Sequence, residues 1–318
     1  MITLKHVYLL AGLAFAAYAA FSAFDRVNPK RWRNTVFWAL FAVSFLAGDQ
    51  LGDLGNGLLV LGLVAIAGFG GLGRGAGVAT TDEERRALSA RWGERLFIPA
   101  LIIPVVTLFG SLVLKEVVIG GQPLLQTSQA TLISLVLGII VAIAVALAMF
   151  RPPLLAPVQE GRRLTDAVGW AIVLPQMLAA LGAVFALAGV GRAIGEVAGQ
   201  VIPGDSQYLA VVVYCLGMAL FTVVMGNAFA AFPVMTAGIG LPLIVGQFHG
   251  NPAIMAAIGM LSGFCGTLCT PMAANFNIVP AALLELKDRH GVIWAQIPTA
   301  LPLLAANTAL MCALVYRF

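Results

Sequence analysis

Apolar runs of roughly 18 to 22 residues recur along the chain, and short stretches between them hold most of its charged residues. The runs lack the apolar-polar alternation of a half-buried strand, and their length matches the roughly 20 residues that a helix needs to cross a bilayer. The pattern therefore predicts an all-α polytopic membrane protein. We expect about eight full spans, one re-entrant helical hairpin and one broken transmembrane helix.

Residues 1–150 predict a scaffold half of five ordinary spans. Asp49, Gln50 and Asp53 mark a tight turn between the second and third spans. Thr81 precedes three acidic residues, a pattern typical of a helix N-cap, so a short surface helix is predicted over Asp82–Trp92. The predicted spans are Val7–Phe24, Thr35–Leu51, Leu54–Leu72, Leu96–Leu114 and Thr131–Phe150.

Residues 151–166 predict a cytoplasmic linker that its prolines keep extended, and residues 167–318 predict a transport half. This half begins with a span over Ala167–Val190 and an amphipathic interface helix over Gly191–Val201. The remaining predicted helices are Leu209–Met225, Ala228–Gln247, Pro252–Phe264, Phe276–Leu284 and Ile293–Tyr316. Residues 209–247 are compatible with a re-entrant hairpin or with two full crossings.

The basic residues indicate how the chain is oriented. A basic cluster follows the first span, whereas a cleaved signal peptide carries its basic residues before the apolar run. The positive-inside rule then places the loops around Arg31, Arg86, Arg162 and Lys287 in the cytoplasm. Both termini are expected outside the cytoplasmic membrane of a bacterium.

Composition narrows the class of protein. Hydrophobic residues make up 60% of the chain and charged residues 10%, against roughly a quarter charged in a soluble domain. The net charge of +4 comes from loop residues, so no nucleic-acid partner is expected. Cys265 and Cys269 lie one helical turn apart without a neighbouring His or carboxylate, so we expect no metal centre.

Two clusters rich in Gly, Pro, Asn and Thr interrupt the apolar segments of the second half. They span Met225–Pro233 and Gly263–Asn277, within a stretch from 206 to 284 that has no charged residue. Helix breakers at membrane depth are costly unless the freed backbone faces protein or a water-filled cavity. Paired interruptions therefore indicate a transporter binding site, the alternative being surface loops rich in small residues.

The second half, from about Ala167 to Phe318, resembles the ion-transporter superfamily, which includes the divalent-anion/sodium symporters and the gluconate permeases. Met225-Gly226-Asn227-Ala228 resembles the hairpin tip of that superfamily, and Cys269-Thr270-Pro271-Met272-Ala273-Ala274-Asn275 resembles its unwound segment. Gly226 and Ala228 stand where many relatives carry Ser and Thr, whose hydroxyls help to hold cation or substrate. The resemblance therefore leaves the coupling ion open.

The whole chain resembles a family of bacterial membrane proteins, of formerly unknown function, that is regarded as one subunit of a 5-oxoproline (pyroglutamate) transporter. The superfamily fold has two inverted repeats, each with a hairpin and a broken helix. Residues 1–150 contain no comparable Gly-Asn tip paired with a Thr-Pro break. The resemblance thus implies that a second, smaller membrane subunit supplies the other repeat.

These residues predict the permease subunit of a secondary active transporter that takes up a small carboxylate, with no enzymatic activity. Sodium near Asn227 and Thr270 is preferred over a proton as coupling ion, because no carboxylate lies between Asp205 and Glu285. A non-transporting scaffold and an intramembrane enzyme are the alternatives. No cofactor is expected. The candidate binding residues are Gly226, Asn227, Ala228, Thr267, Thr270, Pro271, Asn275 and Asn277.

Overall fold

The computed structural model describes residues 1–69, 71–73, 81–202 and 206–317 of the chain. Its residues are almost all helical, and in the described ranges seven helices are long and apolar enough to cross a membrane. The predicted class, an all-α polytopic membrane protein, is confirmed. Arg74, a basic residue of the loop around Arg86 that is predicted to be cytoplasmic, lies outside the described residues.

The chain forms two compact units, Met1–Gly169 (unit 1) and Trp170–Phe318 (unit 2). The described residues of unit 1 form six α-helices and a short antiparallel pair of strands, β1 (Val118–Ile119) and β2 (Gln122–Pro123). The helices are α1 (Leu4–Phe24), α2 (Arg31–Gly68), α3 (Asp82–Trp92), α4 (Phe97–Leu112), α5 (Ala130–Phe150) and α6 (Ala156–Val168). That the scaffold and transport halves divide at the predicted linker stays a prediction.

Helix α2 doubles back on itself at Gly52, whose backbone leaves the helical region with φ 63°. A Cβ on Gly62 would lie 3.5 Å from the Leu40 side chain, although 22 residues of straight helix would separate them by about 33 Å. The side-chain amide of Asn56 donates a 2.8 Å hydrogen bond to the Gly48 carbonyl across the turn. The predicted turn between two spans is therefore confirmed.

Helix α3 has the predicted bounds, and its N-terminus is closed by a reciprocal pair of hydrogen bonds. The backbone amide of Glu84 donates a 3.2 Å hydrogen bond to Thr81 Oγ1, and the backbone amide of Thr81 donates a 2.9 Å hydrogen bond to Glu84 Oε2. This capping box satisfies two backbone donors that would otherwise lack partners. Local sequence alone is enough to form it.

The connection over 151–166 differs from the prediction, because its second part is helix α6 rather than extended chain. Pro157 lies in the first turn of α6, where a missing N–H breaks no intrahelical bond. The prolines therefore favour the start of this helix instead of preventing it.

Over its described ranges, unit 2 forms seven α-helices and one π-helix. They are α7 (Leu174–Leu187), α8 (Val190–Val201), α9 (Gln207–Met225), α10 (Ala228–Met235), the π-helix (Thr236–Gln247), α11 (Pro252–Leu268), α12 (Ala274–Leu283) and α13 (Gly291–Leu314). The predicted span Ala167–Val190 is not one helix. A 3-10 helix over Gly169–Val173 interrupts it, and Gly169 has a φ of 61° that ends α6.

The core of unit 2 lies among α9, α11, α13 and the π-helix. Val211, Tyr214 and Met218 of α9 are fully buried in it. The Tyr214 hydroxyl lies 3.1 Å from Thr236 Oγ1, at the start of the π-helix. Helix α8 packs on the π-helix so closely that a Cβ on Gly195 would lie 2.8 Å from the Gly238 carbonyl oxygen. The predicted amphipathic helix, α8, thus packs a face of small residues against the π-helix.

Candidate functional site

The first interrupted segment is a turn of two residues, Gly226 and Asn227, which we call the tip. Gly226 ends α9 with φ 78°, and its amide donates to the Thr222 carbonyl. Asn227 then begins α10, because its Oδ1 accepts a 2.7 Å bond from the Phe229 amide. A left-handed Gly cap followed at once by an Asn cap lets one helix end and the next begin without a loop.

The two arms that meet at the tip are long. Helix α9 has 19 residues, and α10 with the π-helix has 20. At the α-helical rise of 1.5 Å per residue, α9 reaches about 28 Å, close to the thickness of the hydrocarbon core. Both arms are long and apolar enough to cross a membrane. Their length is compatible with two crossings, so the re-entrant hairpin stays a prediction.

The second interruption lies between α11 and α12, over residues 269–273, which we call the break. Asn277, fully buried in the first turn of α12, donates its side-chain amide to two backbone carbonyls at the break. Its Nδ2 lies 2.8 Å from the carbonyl oxygen of Thr267 and 2.6 Å from the carbonyl oxygen of Thr270. Its Oδ1 is also buried, and no described group donates to it.

The tip and the break are in direct contact. A Cβ on Gly226 would lie 2.6 Å from the carbonyl oxygen of Met272. Thr270 Oγ1 donates 2.8 Å to the Val223 carbonyl in the last turn of α9, and it accepts a 3.2 Å bond from the Met272 amide. Residues that are 47 positions apart in the chain are thus joined at one place.

The other predicted site residues divide into two groups. The Thr267 hydroxyl donates a 2.6 Å hydrogen bond to the Phe264 carbonyl of its own helix, and the apolar side chain of Ala228 is completely buried. Pro271 is exposed, and Asn275 is half-buried with no hydrogen bond among the described residues. Among the described residues, the predicted amides with unused hydrogen-bonding groups are the side chain of Asn275, the Nδ2 of Asn227 and the Oδ1 of Asn277.

The structure adds features that sequence reasoning missed. The carbonyls of Val223 and Met272 take part in the contact, and backbone groups carry no residue-type signal that could have indicated them. Phe229, Met272 and Phe276 form an apolar rim beside the tip and the break, exposed by 60%, 57% and 42%. Their spacing in the sequence is that of any lipid-facing helix surface. Only their place beside the tip and the break in the structure distinguishes them from other exposed apolar residues.

The electrostatics of this region come from the backbone. No charged side chain occurs from 206 to 284. Helix α10 begins at the tip, and helix α12 begins at the break. Helix N-termini carry unpaired N–H groups and a partial positive charge, which favours an anion such as a carboxylate. Within the described ranges, no three His, Cys, Asp or Glu side chains come together as metal ligands.

A family model with the description "Protein of unknown function (DUF979)" matches residues 5–316, nearly the whole chain. The chain belongs to this family. No curated protein and no solved structure matches it. For this member of the DUF979 family, function therefore has to be inferred from the geometry of the tip and the break.

Proposed function

We propose that this membrane protein is the permease subunit of a secondary transporter that takes up a small organic carboxylate by alternating access. The observation that carries the proposal is the contact of Gly226 with Met272, which joins two interrupted helices in an uncharged region. Interrupted helices that face each other are the usual way in which transporters build a site at membrane depth. A scaffold would gain nothing from keeping them.

The chemistry of the site suits a monovalent carboxylate. The amide nitrogen of Asn227 and the side chain of Asn275 provide donors in addition to the N-termini of α10 and α12. 5-Oxoproline, the substrate that the family resemblance implies, carries one carboxylate and one cyclic amide. Two asparagine amides can pair with that cyclic amide, since each offers both a donor and an acceptor.

A cation bound nearby would balance the charge of the substrate, and we propose sodium. Asn277 Oδ1 is a buried acceptor that receives no hydrogen bond from any described residue, and the Nδ2 of the same side chain bonds to the Thr267 and Thr270 carbonyls at the break. A buried unpaired oxygen of this kind is suited to a small cation, and unwound carbonyls in transporters serve the same purpose. Asn277, with the hydroxyl of Thr270 close by, would hold the ion.

Uptake of labelled 5-oxoproline tests this function, with two substitutions at Asn227 that separate its roles. Asn227→Ser keeps an oxygen that can cap α10 but removes the amide nitrogen, whereas Asn227→Ala removes both. We expect Asn227→Ser and Asn275→Ala to lose most uptake with thermal stability close to wild type. Asn227→Ala should lose uptake and also about 1 kcal/mol of stability, the usual value of an N-cap.

The outcome at Asn227→Ser decides between a ligand and a purely structural residue. Wild-type uptake by both Asn227→Ser and Asn275→Ala would show that neither amide binds substrate. Uptake that falls only in proportion to the amount of folded protein would lead to the same conclusion. Thr267→Ser is a suitable control, because it keeps the hydroxyl bond to Phe264 and is not expected to change uptake.

We also propose that the protein lies in the bacterial cytoplasmic membrane with both termini outside. Single cysteines introduced by Gln122→Cys and Gln207→Cys, in a chain lacking its four native cysteines, should react with an impermeant thiol reagent added to intact cells. Arg86→Cys, on the opposite side by the positive-inside rule, should react only after permeabilisation. The reverse labelling pattern would invert the orientation.

A further inference from the structure

Helix α6 of unit 1 presents two charged side chains inward. Arg162 and Asp166 lie one helical turn apart and are only 8% and 5% exposed. The guanidinium of Arg162 lies 3.0 Å from Asp25 Oδ2 at the end of α1, and it donates 3.2 Å to the Phe21 carbonyl. Charged residues are almost never this buried unless they are paired, and Arg162 is paired.

Asp166 is held differently, by two neutral donors from α2. The indole Nε1 of Trp38 donates a 2.8 Å hydrogen bond to Asp166 Oδ1, and the side-chain amide of Asn34 donates a 3.0 Å hydrogen bond to the same oxygen. Asn34 also bonds to both backbone groups of Gly73, so the chain after α2 is joined to the same cluster. The second oxygen, Asp166 Oδ2, is buried and receives no hydrogen bond from any described residue.

The charges in this cluster do not cancel. Asp25 and Asp166 are both acidic, and Arg162 is the one basic side chain of the described residues that is buried among them. From α1, the Tyr18 hydroxyl also lies against the backbone of Gly161, but phenol is neutral at physiological pH. With both carboxyls ionised the cluster would carry a net charge of −1, and burying an unpaired charge is costly.

A proton removes that charge with the least rearrangement. Burial is the largest influence on the pKa of Asp166 and raises it above the ordinary value. The hydrogen bond from Trp38, the charge of Arg162 and the hydrogen bond from Asn34 lower the pKa, and Asp25 raises it again, so that the net change is upward. Protonation places a hydrogen on the oxygen that has no donor.

We propose that Asp166 is a proton-binding site, in which the carboxyl is protonated at Oδ2 while α6 packs on α1 and α2. The proton comes from water and returns to it, and no other bond forms or breaks. Separation of α6 from the two helices would expose the carboxyl, restore its ordinary affinity for protons and release the proton. Proton uptake and the packing of α6 are therefore coupled. This inference concerns unit 1 and does not depend on the proposed transport function.

The coupling predicts how stability depends on pH. A carboxyl with a raised pKa in the folded state contributes stability that is complete below its ordinary pKa and is lost as the pH rises through the raised value. Wild-type protein in detergent should therefore lose thermal stability across that window. Asp166→Asn keeps an oxygen for Trp38 and Asn34 and has an N–H in place of the proton, so this loss should be absent.

Infrared spectroscopy measures the proton itself, through the carbonyl stretch of a protonated carboxyl. We expect a band in the wild type that persists above the ordinary pKa of aspartate and is missing in Asp166→Asn. Glu160→Gln is the matched control, because Glu160 is an exposed acid of the same helix, paired with Arg163, and should leave the band unchanged. A band and a pH dependence that are unaltered in Asp166→Asn would overturn the proposal.

A second substitution covers the case in which Asp166→Asn does not fold. Trp38→Phe removes a donor that lowers the pKa of Asp166 and retains most of the aromatic packing. The band should then persist to a higher pH than in the wild type. Loss of the band at the same pH, or at a lower one, would contradict the assignment to Asp166.

Discussion

Gly226→Ala is expected to abolish most substrate uptake while the protein still inserts into the membrane. The residue has φ 78°, a conformation that costs a residue with a side chain about 1–2 kcal/mol. The added methyl group would also lie 2.6 Å from the rigid Met272 backbone, so the tip must move away from the break. A shift of about 1.4 kcal/mol is tenfold in an equilibrium, so uptake should fall at least about tenfold.

Gly189→Ala separates the two causes of that effect. Gly189 has a similar φ of 71°, but a Cβ there would have no atom of the described residues within 4 Å. Its alanine variant should have the same backbone strain, a modest loss of thermal stability and near-normal uptake of labelled 5-oxoproline. If the two variants reduce uptake equally, contact between the tip and the break has no part in transport.

The second large effect concerns a partner. We expect this chain, reconstituted alone into liposomes, to show only background uptake, and full uptake to require a smaller membrane protein with its own interrupted hairpin. The apolar rim of Phe229, Met272 and Phe276 is exposed beside an amide-bearing contact, which is a suitable surface for such a partner. A site enclosed by two repeats cannot exclude water with one repeat missing.

Co-purification of the two tagged subunits from mild detergent, followed by reconstitution of each alone and of both together, measures this dependence. Met272→Asp places a charge on the rim without touching the hydrogen bonds of Thr270, and it should prevent co-purification. Leu220→Asp, on an equally exposed position of α9, is the matched control for a charge at membrane depth. Full uptake by this chain alone would remove the need for a partner.

The sequence predicted much of the helical framework, because the length of an apolar run and the residues at its ends are local properties. Helix α3 has the predicted bounds, and its capping box lies within four consecutive residues. The turn at Gly52 and the adjacent caps at Gly226 and Asn227 are equally local. The predicted span over Ala167–Val190 was wrong as a single helix, since a left-handed Gly169 interrupts it without any change in hydropathy.

The roles of the polar site residues could be predicted only in part. Asn, Thr and Pro in an apolar stretch indicate that something interrupts the helices, but not which group each side chain will meet. That Asn277 binds a ligand stays a prediction, and its nitrogen also donates to the Thr267 and Thr270 carbonyls. Asn227 has a cap to maintain in addition to any ligand, which is why Ser rather than Ala is the informative substitution.

Tertiary structure alone decided the contacts between distant residues. Charge placed Arg162 in a cytoplasmic loop but could not show that its side chain is buried against Asp25, or that Asp166 meets Asn34 across 132 positions. The sequence by itself determined that this protein lies in a membrane, the approximate extent of most of its helices, and where the apolar segments of the second half are interrupted. Which interrupted segments meet, and which charges are buried together, depends on how helices pack, and periodicity along one helix contains no information about its neighbour.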